Sequence, residues 1–500
     1  MRALAVGVVA VVVVCGCPPR PVPPRAPEVD PLAQRRTTLE VRLNEADARA
    51  RALLEARDEA LWRHFTTRAP LELGAATAAR ERFLDAGVPW LLLESAALGG
   101  HQRELAQGLW RLERGERLAL ALADVERRLD EKERSLMVRS GTRELPWREV
   151  ATAISAEASA VTRKELWQAR AAAAPAVLEL LVERSTTVAE VLGPDAGACA
   201  LRGLTCEQLA MMARDGLEVS DGGVVVGLES ALAQELRLPP AQVGRPELLR
   251  ALRSPPEEDR ALDVARAGAA LQLAVRALGL DADGGVLLDV TASPTRHPLP
   301  LAVPLPPGVR VSIRPAPGVG PLGQALAELG RAAAWARHPG QAAWQLEVEA
   351  EAAAQLSKSL LTDDGFLAAV GVDARLGRAV AARAQRSQAL EQRQRAAACL
   401  VSLAERAGGE GAATQTFREV EAQALGLGTT DADAALWRLD SDPVLTCAVP
   451  VQGAARVRSW RRTLPPRWWS VPGTFAALLR GAPLPAPPME APAPDGGTAP

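Results

Sequence analysis

The stretch LGQALAELGRAAAWARH, Leu322 to His338, opens a run of helical periodicity that extends to about Gly408. Its leucines and alanines recur at three- and four-residue spacing, the pattern of an apolar face on a helix. Ala327 and Arg331 stand four residues apart, with Glu328 between them, so Ala327 and Arg331 lie one turn apart on one face. Just upstream the period changes. GVRVSIRP, from Gly308, alternates Val309, Val311 and Ile313 with Arg310, Ser312 and Arg314, the two-residue period of a half-buried strand. GGVVVGLES and GGVLLDVTASP are short apolar runs opened by glycine pairs. A small sheet therefore precedes this helix inside an otherwise helical chain, and the fold class is mainly α.

Upstream, from Pro31 to about Leu192, apolar and charged residues interleave at helical spacing, as in LLEARDEALWRHF and LAQGLWRLERGERLALALADVERRL. The first helix can run unbroken from Pro31 through Trp62 and could form a coiled-coil hairpin arm, with breaks near Thr66–Leu73, Gly99–Gly100 and Ser140–Leu145. The eleven tryptophans, Trp468 and Trp469 among them, fall at helical spacing and suit a core or a cleft wall. There is no internal repeat.

The 500 residues carry 60 acidic and 58 basic side chains, so no summed field draws in nucleic acid. Lys132, Lys164 and Lys358 are the only lysines and tyrosine is absent, the bias of a GC-rich genome. At the start, MRALAVGVVAVVVVCGC joins Arg2 to an apolar run too short to span a bilayer, the layout of a signal peptide. Val14-Cys15-Gly16-Cys17 resembles a bacterial lipobox, which makes residues 1–16 a lipoprotein signal peptide and Cys17 the acylated N-terminus. An ordinary signal peptide cleaved nearby is the alternative. Pro18 in place of an acidic residue leans toward the outer membrane. Residues 17–30 then form a Pro-rich, extended spacer, and residues 482–500 a disordered Pro- and Ala-rich tail. Cys199 and Cys206 could bridge in an oxidising compartment or stay buried thiols; Cys399 and Cys447 complete the set, and no CxxC pair marks a thiolate metal site.

Strand, loop and a helix bearing LAELGRAAAW is the local order of the zinc unit in gluzincin metallopeptidases. The chain resembles the oligoendopeptidase F and thimet oligopeptidase family over about residues 40 to 480, most closely from 285 to 480. LGQALAELGRAAAWA is similar to that family's LLHELGHALH pattern, and LEVEAEAAAQLSKSLLTDDGFL to the helix that supplies its third ligand. The resemblance implies a two-lobed helical body, an N-terminal helical region at 31–200 and a catalytic-lobe relic at 201–481, with the small sheet beside the former zinc helix. It places the two histidine positions at Ala327 and Arg331, the base at Glu328, and the third ligand at Glu347, Glu349 or Glu351.

The departures set the functional expectation. Alanine offers no lone pair, and a guanidinium only donates, so two of three ligands are gone. The family's intermediate-stabilising tyrosine is also missing. No metal and no cofactor are expected, and the chain is expected to be no enzyme. Glu328 and Glu349 or Glu351 would face a cleft without their cation, a costly arrangement. Arg331 is expected to supply that charge, bridging Glu328 and one of the two others; an exposed arginine on an amphipathic helix is the alternative. The implied role is binding or scaffolding in the cell envelope, with the membrane, a peptide or an envelope protein as partner. An active hydrolase with a non-standard site and a purely structural helical lipoprotein are the other classes.

Overall fold

The computed structural model describes residues 31–485, apart from 194–196, 220–226, 282–284, 292, 294–295, 307 and 340. The signal peptide, Cys17, the Pro-rich spacer, residues 486–500 of the tail and most of GGVVVGLES lie outside the described residues. The described residues are mainly helical, 74% helix against 5% strand, with two small sheets.

Helix α1 (Pro31–Thr67) is unbroken, as its periodicity requires. Leu39, Leu43, Ala46, Ala50 and Leu53 form its buried stripe, packed with Phe83, Leu91 and Leu109. The stripe faces helix α2 (Gly100–Ser135) and the short helix Gly74–Leu84. Ser140–Leu145 is more than a break. Strands β1 (Met137–Ser140) and β2 (Arg143–Pro146) form an antiparallel hairpin whose turn uses Gly141 at φ 60°. Only Val138 of it is buried, too little apolar signal for a strand to stand out.

The second sheet has the order β3 (Val286–Val290), β5 (Val309–Ile313), β4 (Leu301–Val303). β5 is central, parallel to β3 and antiparallel to β4. Its alternation promised a half-buried strand, but Ser312 is buried along with Val309, Val311 and Ile313. The Arg296 guanidinium covers that polar position: Nη1 donates to Ser312 Oγ at 2.9 Å, and the same side chain pairs with Asp289.

Helix α3 (Val319–Arg337) packs against β4 and β5 and against helix α4 (Glu347–Lys358). The α3–α4 seam is made of small residues, among them Ala332, Ala333, Ala350 and Ala353. At its tightest point a Cβ on Gly330 would stand 2.3 Å from the Ala353 carbonyl oxygen and 2.6 Å from Ser357 Oγ. Only glycine admits that approach. Helix α5 (Ala374–Leu425), capped by the Asp373 carboxylate, outlasts the expected end near Gly408 by turning at Gly409 (φ 72°) and continuing. Helix α6 (Ala448–Arg461) covers α4 from another side, with Gly453 against Glu351.

Two disulfides close the structure. Cys199–Cys206, one of the two alternatives open in the sequence, is formed, with Cα atoms 5.3 Å apart. Cys399–Cys447, which no spacing announced, ties α5 to the start of α6. A core of Leu118, Leu122, Val188, Leu209, Leu232, Leu390 and Leu445 draws on both sides of residue 200. Among the described residues no helix is long and apolar enough to cross a membrane.

Candidate functional site

Because Gly330 lets α3 and α4 touch, side chains beside the contact meet across the seam. Arg331 Nη1 donates to Glu328 on its own helix, and Nη2 donates to Glu351 Oε2 at 2.8 Å. Glu328 and Glu351 are well buried, their side chains 17% and 12% exposed, while Arg331 keeps 31%. Glu328 has a further partner: its Oε2 accepts the backbone N–H of Ala302, at 3.0 Å, from β4. β4 is an edge strand, and this N–H, given to Glu328 and not to β5, belongs to the free edge of the sheet.

The charges continue down the cleft. Arg395 of α5 reaches Glu351 Oε1 at 3.3 Å and Glu391 Oε1 at 2.6 Å, and Lys358 Nζ binds Glu391 Oε2 at 2.6 Å. Gln355 Nε2 adds bonds of 3.0 Å to Glu351 Oε1 and to the Pro450 carbonyl. Three acids and three bases thus alternate along one wall of a cavity of about 280 Å³. Burial raises the Glu328 carboxyl above its ordinary range against the pull of Arg331. Burial also opposes the charge on Arg331, but Glu328 and Glu351 together outweigh it and hold the guanidinium above its usual value. At Glu391 burial is likewise outweighed, here by Arg395 and Lys358, and the carboxyl sits low.

The three acidic candidates on α4 separate. Glu351 joins Arg331; Glu349 faces His338, with 3.8 Å from Oε1 to Nε2; Glu347 lines a different cavity. Ala327 lines the cleft but brings no donor atom. His338 caps the end of α3. The His297 ring lies tilted against Phe65, centroids 4.4 Å apart, and His64 Nδ1 bonds the Ala69 carbonyl at 2.7 Å, so neither reaches Glu328. Among the described residues no group of three or more His, Cys, Asp or Glu side chains is arranged to hold a metal ion. A zinc ion does not fit this donor set: one ligand position is a methyl group, another is a cation, and both carboxylates are already bonded to that cation.

The resemblance pointed to the α3 and α4 residues but missed Lys358, Glu391 and Arg395. Glu391 and Arg395 are four apart on α5, an ordinary intrahelical pair, and only the packing of α5 on the turn Ser359–Thr362 that follows α4 gives them a place in the cleft. No protein-family model matches the chain, and no curated protein matches it either.

Proposed function

We propose that this protein is a lipid-anchored cell-envelope protein whose helical body is a degenerate relative of the oligoendopeptidase F type, two-lobed about the Glu328–Glu351 cleft. It performs no peptide hydrolysis and works by binding or scaffolding, with a peptide or an envelope protein as partner. One observation carries the reading. Arg331 sits between Glu328 and Glu351, so a fixed side-chain cation balances the two carboxylates that face a metal in such peptidases. Two disulfides suit an oxidising compartment outside the cytoplasm. The segment ending at Cys17 supplies the anchor.

The test is metal analysis of the purified protein beside the double variant Ala327→His/Arg331→His, each loaded with zinc and desalted. Zinc at about one equivalent in the variant and near none in the parent supports the reading. A folded variant that takes up no zinc overturns the ancestry; stoichiometric zinc in the parent overturns the claim that the site is silent.

A further inference from the structure

A second cavity, also of about 280 Å³, lies between α2, the loop closed by Cys199–Cys206 and the start of α4. Its polar side is basic. Arg111 of α2 is half-buried, lines the cavity, and has no hydrogen-bond or ion-pair partner among the described residues. Arg202, from the disulfide loop, uses Nε on the Val444 carbonyl at 3.3 Å, and its other N–H groups have no partner among the described residues. Gly203, at φ 71°, packs against the end of the Arg111 side chain. A Cβ there would stand 2.7 Å from Arg111 Nη1.

Two acids share the cavity, and they offset this charge only in part. Glu116 is already held by Arg80 at 2.7 Å and Arg57 at 3.6 Å. Glu347 acts on Arg111 and Arg202 only through space and forms no ion pair with either. The remaining lining is apolar: Leu112, Leu122 and Leu201, with the Trp344 ring lying where a side chain on Gly108 would be, 1.9 Å from its Cβ position. A half-buried guanidinium without a partner is costly, and burial depresses Arg111 below its ordinary value. An incoming anion relieves that cost.

We infer that this cavity is a binding site for a small organic carboxylate with an apolar substituent, its two oxygens taken by Arg111 and Arg202 and its tail by the leucines and Trp344. The paired, planar donors suit a carboxylate, and the apolar wall excludes a simple inorganic anion as the preferred ligand. The volume, just below the usual range of roughly 300–1,000 Å³ for small-molecule pockets, limits the tail to a short one. An acyl chain and the C-terminus of a peptide both present this chemistry. The inference does not depend on the peptidase ancestry of the Glu328 cleft.

Calorimetric titration of the full chain tests it, with octanoate, N-acetyl-Phe-Leu, the amide of that dipeptide, acetate and phosphate as probes. Saturable binding of octanoate or of the free-acid dipeptide is expected, and which of them binds identifies the source; the amide, acetate and phosphate should bind at least about tenfold more weakly. Arg111→Gln should weaken binding about tenfold or more, Arg111→Lys less, and Arg202→Gln comparably to Arg111→Gln. Since Arg111 bonds to no described residue, its variants should keep the parental circular dichroism and melt no lower than the parent. Absence of saturation by both acids up to about 10 mM, equal binding of acetate and octanoate, or parental affinity in folded Arg111→Gln would each overturn the inference.

Discussion

Arg331 settles the character of its cleft because it is a charge that cannot leave. A metal can be removed or exchanged; a guanidinium anchored on α3 stays protonated and stays between Glu328 and Glu351. Replacing it with a methionine of similar length leaves two mostly buried carboxylates facing each other. Arg331→Met should therefore cost about 2–4 kcal/mol near pH 7.5, less than a fully buried pair because the guanidinium keeps some solvent. The loss has a pH signature. Burial already holds Glu328 above its ordinary range, so the folded state takes up its proton at a higher pH than the unfolded chain does, and stability from this group falls as pH rises through that window. Without Arg331 the carboxyl rises further, and urea denaturation should show the variant's deficit shrinking toward pH 5. At this scale much was legible in the sequence. The resemblance to the peptidase family named the positions Ala327, Glu328 and Arg331, and the need to balance buried carboxylates named the bridge. Which acid on α4 would answer was open, because Glu349 and Glu351 differ only in which way a turn of helix points them.

The α3–α4 pair depends on one missing methyl group. Gly330 faces the Ala353 carbonyl so closely that any side chain pushes the helices apart. Gly330→Ala should lower stability by about 3 kcal/mol, measured by the urea midpoint, despite the better helix propensity of alanine. The same substitution at the uncrowded Gly320, near the start of α3, should be close to neutral. Long amphipathic elements such as α1 and the strand β5 announce themselves by period, and both stand where their periods put them. The β1–β2 hairpin and the passage of α5 through Gly409 do not. The hairpin carries one buried residue, and the helix past Gly409 is joined to the rest of α5 by a backbone turn that a Gly-Gly-Glu-Gly run more often uses to end a helix. The burial of Ser312 was illegible for a different reason, since it depends on an arginine sixteen residues away in sequence.

Across the whole molecule, the helices are stitched by two covalent links of very different reach. Cys199–Cys206 spans seven residues and Cys399–Cys447 spans 48. The entropy lost by the unfolded chain grows with the loop, so Cys399→Ser/Cys447→Ser should cost about 4 kcal/mol and Cys199→Ser/Cys206→Ser about 2. Comparing denaturation midpoints of the two double variants without reductant checks that order. The longer link was hidden in the sequence because its partners meet only when α6 folds back onto α5. The contact between Glu328 and the Ala302 N–H has a consequence for anything that approaches this body. β4 ends its sheet with a donor turned outward, the natural place for another extended chain to join, and a carboxylate already occupies it. Strand addition and the Glu328 bond are therefore mutually exclusive states of one N–H. The affinity of a strand-forming partner is scaled by the fraction of molecules in which Glu328 has let go, and that fraction is governed by the same arginine that holds the carboxylate in place.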